Sequence, residues 1–596
     1  MYYWLGSSDP RTVVRQFMQV RSEQTATALA GGGKPHPSLV EHTKYLGVPE
    51  VIQVTDNIYL ALGYALSNSI MIIAPEGLII IDTTESVEAA TLILAEFRKI
   101  VPNIPIRAII YTHYHADHVG GAQPLWIFNQ AFLADNVGRE RAPPVEIWAH
   151  HLLPSNILHT NTVINIITFR RSMRQFGTLL PAEHENSGIG PRLDISGQRT
   201  RGFVAPNKFM FGPEMDVKIA GLDLKLIHIP GETDDQIGVW YPGKRAMFCG
   251  DDLYKTFPNL YAIRGSGYRS YLDWVSSLDK MRSFGADYLV PSHTRPLSDC
   301  SKIAKLFRDY RDAIQYVHDQ TVHLMNKDLH PDAIAQLVKL PSTLAQVPHL
   351  QEFYGTIPWS VKGLFAGYLG WFSGDPAELN PYSPAEKAQR LIEFGGGFEQ
   401  TITKASRALD AGDNQWALEL ASAVLLLSAS SSDAQRIKID ALNKLASTQT
   451  SANGYNYYKT AAFETAGAIT LETFPRARQN VLAETSIEHM TRSLAYRVRA
   501  TSECAAIDKI VAHNFTDINL VVGFHMRNGI LDFNLRPAQL SVDAADITLF
   551  TTSDVWRSLF NKSKAPLSAI MKREITFAGE GGLQYKKISN CFDAEV

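Results

Sequence analysis

The feature that most constrains this chain is the run His113-Tyr114-His115-Ala116-Asp117-His118-Val119-Gly120-Gly121, entered directly from the apolar segment IRAIIYTH. That segment reads as a buried β-strand, so the polar run begins where the strand ends. Three imidazoles and a carboxylate within six residues converge only if the chain folds back tightly, which Gly120 and Gly121 make easier. So many strong ligands against a buried strand form a costly arrangement without a metal ion to satisfy them. Neutral imidazole and carboxylate bind zinc well, at about 2.0–2.2 Å. The spacing predicts one ion served by His113 and His115 and a second, a few ångströms away, served by Asp117 and His118.

The flanking pattern supplies the scaffold. VIQVTDNIYLALG, SNSIMIIAP and GLIIIDTT read as short strands rich in β-branched residues and punctuated by Gly, Asn and Pro. A helical stretch from Ser86 to Ile100 follows, then the strand IRAIIYTH, so the order strand, helix, strand predicts a βαβ unit within an α/β sandwich. The alternation returns at LDLKLIHIPG, AMFCGDD and ADYLVPSH, where His228 on its strand is expected to be a hydrogen-bonded core residue and no ligand. Between these lies the segment 151–212, containing LLPAEHENSGIGPRL, expected to be an extended functional loop over one face. From about Ser301 the period becomes helical, and paired amphipathic helices such as TITKASRALDAG and NQWALELASAVLLLSAS suggest a small helical-repeat bundle. A second α/β segment closes the chain from about Thr485, with strands INLVVGFHM, GILDFNL and DITLFTT and a helix DVWRSLFNK.

With 596 residues the chain exceeds what one hydrophobic core supports, roughly 250–300 residues. Boundaries are expected near 310, 380 and 485. A composition of 45% hydrophobic and 20% charged residues with a net charge of −3 argues against a nucleic-acid partner and against a disordered chain. No run approaches the ~20 apolar residues that a membrane-spanning helix needs. Met1 to Asp9 lacks the basic and apolar regions of a secretory signal, so the protein is expected either to stay in the cytoplasm or to have lost a presequence on its way out. Cys249, Cys300, Cys504 and Cys591 lie far apart without CxxC spacing and are expected to be free, mostly buried thiols.

The HxHxDH motif after such a strand resembles the signature of the metallo-β-lactamase superfamily. That resemblance implies an αβ/βα sandwich with further ligands at the ends of later strands: Glu232 in Pro230-Gly231-Glu232, Asp251 after Gly250, and His293 in LVPSHTRP. It assigns Glu232 to the first ion with His113 and His115, Asp251 to a bridge, His293 to the second ion, and Asp82 of IIIDTT to supporting the ligand shell. A glutamate where the superfamily usually has a third histidine is similar to the alkyl sulfatases, the dodecyl sulfate hydrolase-like family. HPSLVEH, FGTLLP, LPSTLAQVPHLQEFYGTIPWSVKGLFAGYLGWFSGDPAELNP and NGYNYYKTAAFE also resemble that family, and none of them carries a metal ligand. The resemblance implies a catalytic domain over 1–310, a helical connecting segment over 311–380, a helical dimerisation domain over 381–484, and an α+β domain similar to sterol carrier protein 2 over 485–596. It also implies two zinc ions per chain and a homodimer.

The stretch Asn259-Leu260-Tyr261-Ala262-Ile263-Arg264-Gly265 matches the segment in which the family's Asn and Arg hold the sulfate. Arginine's planar fork suits a tetrahedral oxyanion, and a neutral amide adds a donor. Catalysis is thus expected of Asp117, Asn259 and Arg264 on a small amphiphilic sulfate ester, cleaved to alcohol and sulfate by attack at sulfur or at carbon. The chain departs from the family in three ways. The sequence PGETDDQ allows Asp234 or Asp235 to displace Glu232; Asp251 stands where well-known bacterial members have glutamate; and Phe176 replaces a loop tyrosine on the substrate face. Trp359 and Trp371 are expected to pack at a domain interface or, as the second choice, to line an apolar slot for the alkyl chain. Competing readings are a phosphodiesterase, lactonase or thioesterase on the same metal core, or lipid binding through the C-terminal domain.

Overall fold

Runs of β-branched residues in the first half of the chain build two sheets. The first holds β1 (Glu50–Gln53), β2 (Ile58–Leu62), β3 (Ser69–Ala74), β4 (Gly77–Ile81), β5 (Ile106–Ile110), β6 (Glu146–His150) and β7 (Lys208–Met210), in that spatial order. Strands β1 to β4 are antiparallel and β4 to β7 parallel. The second holds β8 (Glu214–Ile219), β9 (Leu222–His228), β10 (Ile237–Tyr241), β11 (Ala246–Phe248), β12 (Tyr288–Val290) and β13 (Leu297–Ser298), antiparallel except for the pair β11/β12. This computed structural model describes residues 33–102, 104–136, 144–184, 186–195, 199–471 and 485–593, so the expectation about Met1 to Asp9 lies outside the described residues.

Alternate residues of each strand, such as Ile70, Ile72, Ile79 and Ile81, meet Leu226, Val239 and Phe248 of the other sheet in one buried core. The intervening residues Met71, Ile80 and Ile109 are buried as well, because helices cover the outer faces, and strands covered on both sides read as unbroken apolar runs. Outside the first sheet lies the helix Val87–Ile100, whose N-cap Ser86 accepts from Ala89 N and which buries Ile93, Leu94 and Phe97. Outside the second, the helices Tyr271–Ser283 and Cys300–Met325 bring Trp274, Phe307 and Tyr310 against Met247 and Leu289. The layering is the expected αβ/βα sandwich.

Three expectations are corrected. The segment 151–212 is no continuous extended loop: the helices Leu153–Thr162 and Asn165–Gln175 occupy its first part. Apart from Pro154, its glycines and prolines lie after Phe176, and they hid the amphipathic run before it. The cysteines are not all free thiols, since Cys504 and Cys591 form a disulfide across 87 residues, while Cys249 is buried and Cys300 exposed. A pairing over that separation leaves no local signal. The helix Cys300–Met325 also runs unbroken through residue 310, where a boundary was expected.

Beyond it come the helices Ile357–Leu369, Pro384–Gly395, Phe398–Asp410, Asn414–Leu427, Ser432–Thr448 and Ala452–Thr465. Trp371, for which interface packing was expected, is 75% exposed in the single chain. Residues 485–593 form the main part of a separate unit. Its sheet has β14 (Lys509–Phe515), β15 (Leu520–Arg527), β16 (Ile530–Asp532), β17 (Ile547–Thr551) and β18 (Thr576–Gly579), in the order β16-β15-β14-β17-β18. Strand β14 was missed in the sequence, where KIVAHNF carries two polar residues between its apolar ones. No described helix is long and apolar enough to cross a membrane.

Candidate metal centre

The chain leaves β4, β5, β9, β11 and β12 toward one place, and there the expected ligands meet. His113 and His115 follow β5, Asp117 and His118 lie on the short helix Ala116–Val119, Glu232 follows β9, Asp251 follows β11 and His293 follows β12. The glycines of the motif serve close approach: a Cβ on Gly121 would collide with the Thr83 carbonyl, and one on Gly120 with the Glu85 carbonyl.

Three groups of ligand atoms each fall within 4.8 Å of one another: His113, His118 and Asp251; Asp117, His118 and His293; and His115, Glu232 and Asp251. His113 Nε2 lies 2.8 Å from His115 Nδ1. Asp251 Oδ2 stands 3.1 Å from His293 Nε2, 3.5 Å from His118 Nε2 and 3.9 Å from His113 Nε2. Asp117 Oδ2 is 3.4 Å from His118 Nε2 and 3.5 Å from His293 Nε2. From the PGETDDQ turn the carboxylate in these groups is Glu232, 3.7 Å from His115 Nδ1.

The outer atoms of the rings are held from behind. Asp82 accepts from Thr112 N at 2.8 Å, from Thr112 Oγ1 at 2.9 Å and from Ser292 Oγ at 2.7 Å, and it sits 2.8 Å from His118 Nδ1. His293 Nδ1 is 2.9 Å from Leu66 O, so each of these two rings aims Nε2 inward. Asp82 does this from a left-handed backbone, φ 57°, an uncommon conformation for a residue with a side chain.

Burial pushes His113 and His115 well below the ordinary histidine range, with neighbouring cations adding to it, so both rings are neutral and able to ligate a metal ion. His118 and His293 move the other way: burial lowers them, but Asp251, Asp117 and, for His118, Asp82 outweigh it. Burial also raises Glu232 despite Arg269. With Asp251 Oδ1 and Glu232 Oε2 buried and making no hydrogen bond, the pocket has unmet acceptors and clustered carboxylates. Bound cations would meet both needs, and imidazole with carboxylate is a donor set suited to zinc.

Beside the cluster, Arg264 NH2 lies 3.0 Å from His115 Nε2, and its guanidinium carbon is 5.9 Å from the centre of the Phe176 ring. Phe176 is buried at 5% exposure. Asn259 is 1% exposed, and neither its Oδ1 nor its Nδ2 makes a hydrogen bond. His228 hydrogen-bonds as expected, 2.8 Å from Asp234 O, but is only half-buried and stacks on His150.

Sequence reasoning missed Arg269 and Asp252. Arg269 NH2 pairs with Glu232 Oε1 at 2.8 Å inside the protein, and Asp252 Oδ1 accepts from Glu232 N at 3.0 Å. The doubled carboxylate of Gly250-Asp251-Asp252 was a usable signal; nothing in the spacing pointed to Arg269.

Residues 62–126 and 170–293 match the family described as the metallo-beta-lactamase superfamily, and residues 330–467 match alkyl sulfatase dimerisation. A linear primary-alkylsulfatase from a Pseudomonas species is 38% identical over 459 residues, covering 76% of this chain and 84% of that one. An alkyl/aryl-sulfatase from Saccharomyces cerevisiae is 29% identical over 494 residues, 81% of this chain and 74% of its own. Among solved structures, the stereoselective inverting sec-alkylsulfatase Pisa1 from a Pseudomonas species shares the fold, with a TM-score of 0.82 over 98% of this chain and 89% of that one at 23% identity.

Proposed function

Because this chain belongs to the alkylsulfatase family of the metallo-β-lactamase superfamily, we infer that its buried cluster is the centre at which alkyl sulfate esters are hydrolysed to alcohol and sulfate. The observation that carries this reading is Arg264 beside His115, 3.0 Å away: a guanidinium suited to a tetrahedral oxyanion stands at the rim of a metal-ligand cluster.

We propose two zinc ions, one held by His113, His115 and Glu232, the other by Asp117, His118 and His293, with Asp251 shared between them. The grouping of Asp117 with His118 and His293, that of His115 with Glu232 and Asp251, and the 2.8 Å between His113 Nε2 and His115 Nδ1 support this division, although His113 also groups with His118 and Asp251. Bound zinc supplies Lewis-acid charge and lowers the pKa of water towards ~7. The chain's residues do the remainder. Arg264 and the unpartnered Asn259 amide hold the sulfate group, and Phe176 gives that face an apolar wall. Asp117, kept anionic because His118 and His293 outweigh its burial, accepts hydrogen bonds from the attacking water. Asp82 holds His118 in place.

The dimerisation match supports a homodimer built through the helical region, and we assign the segment from 485 onward to a domain similar to sterol carrier protein 2. The test is sulfate release from dodecyl sulfate by the purified protein with and without zinc, beside a metal-checked Arg264→Ala variant. Zinc-dependent release that collapses in the variant is expected. A metal-loaded protein that releases none would sink the sulfatase reading and turn attention to phosphate esters and lactones.

A further inference from the structure

The last turn of the helix Asn165–Gln175 and the residue after it reach the main chain and side chain of the anion-binding arginine. Arg171 NH2 donates to Ile263 O at 2.7 Å. Gln175 Oε1 accepts from Arg264 N at 2.9 Å. Phe176 lies beneath the Arg264 guanidinium. Arg171 and Gln175 are four positions apart, so they share one helical face and grip consecutive residues of the partner loop.

Gln175 is fully buried, and its Nε2 makes no hydrogen bond. An unmet amide donor is a poor choice for filling an apolar interior, so its presence is explained by the bond its oxygen makes to Arg264 N. The same turn is clamped from its other side by the helix Ala452–Thr465. Arg174 forks onto Glu464 at 2.8 and 2.9 Å, and Asn456 Nδ2 donates to Gln175 O at 3.1 Å. A fixed turn therefore fixes residues 263 and 264. A flexible guanidinium binds an anion more tightly when its backbone is already held, because less freedom is lost on binding.

We propose that Arg171 and Gln175 are positioning residues that act through the Ile263–Arg264 main chain to set how tightly the enzyme holds the sulfate group of its substrate. The proposal rests on the reading of Arg264 as the sulfate-binding cation. Its test uses the full-length, zinc-loaded protein and four variants: Gln175→Met, which keeps shape and loses the acceptor; Gln175→Glu, which keeps the acceptor; Arg171→Met; and Arg171→Lys.

Inorganic sulfate affinity by calorimetry, KM and kcat on dodecyl sulfate, zinc content and Tm are measured together. Gln175→Met and Arg171→Met should each weaken sulfate binding and raise KM about three- to tenfold, the value of one hydrogen bond, with a smaller change in kcat and zinc content intact. Gln175→Glu and Arg171→Lys should recover most of the loss. A merely structural role would lower Tm and leave sulfate affinity and KM at wild-type values, which overturns the proposal while the sulfatase reading stands. If Gln175→Met does not fold, the two Arg171 variants decide. A zinc-loaded wild type that neither releases nor binds sulfate defeats the sulfatase reading itself, and this proposal with it.

Discussion

Arg269 and Glu232 form an ion pair inside the protein, NH2 to Oε1 at 2.8 Å, with 2% and 4% of the two side chains exposed. Arg269 also donates to the Asn259 carbonyl, so one guanidinium ties a carboxylate of the candidate metal centre to the segment that carries Asn259 and Arg264. Removing one partner of a buried pair leaves the other uncompensated, a loss of about 3–5 kcal/mol. Arg269→Met should therefore destabilise the first unit by that order. Urea unfolding of the metal-free variant beside the wild type measures it, and equal midpoints would mean the pair contributes nothing net.

Asp82 accepts hydrogen bonds from three donors and stands against His118 Nδ1. Outer partners of this kind orient a ligand and raise its basicity, and their loss typically weakens metal binding 10–100-fold. Asp82→Ala should retain all seven expected ligands yet bind zinc more weakly by about that factor. A competition titration against a chelator of known affinity reads this directly.

In the C-terminal unit, burial holds His513 down to about 4 from an ordinary 6.5, with its Nε2 2.8 Å from the Tyr585 hydroxyl. Above 6.5 the ring is neutral in folded and unfolded chains alike, and the group does not affect stability. Between 6.5 and about 4 only the unfolded chain takes up the proton, so stability falls as pH falls, by up to about 3 kcal/mol, and then levels off. Hydrogen exchange of β14 and β15 amides at pH 7 and pH 4.5 should show the loss in the wild type. His513→Gln should abolish this pH dependence.

The Cys504–Cys591 disulfide closes 87 residues around the C-terminal sheet. Cross-linking a loop of that length typically stabilises by about 2–4 kcal/mol. Reduction should lower the stability of this unit and leave the zinc content of the first unit unchanged. Thermal unfolding with and without reductant, beside a Cys591→Ser variant, separates the bond from side effects of the reductant.

Some of this protein could be read from the residues in order. His113, His115, Asp117 and His118 are neighbours in the chain, and their strand shows in its unbroken apolar character. Glu232, Asp251 and His293 were singled out because each ends a strand in a short motif that resembles a known family. Asn259 and Arg264 were singled out by a spacing that resembles that family's.

Local order determined the sandwich, the motif strand and the types of candidate ligand, since periodicity and turn chemistry act over a few residues. Only the tertiary structure decided which carboxylate of the PGETDDQ turn joins His115, that Arg269 neutralises it, and that Arg171 and Gln175 grip the Arg264 loop. The Cys504–Cys591 bond belongs with these. Each is a contact between segments far apart in the chain, fixed by how the layers pack, and a sequence read along its length carries no record of such meetings.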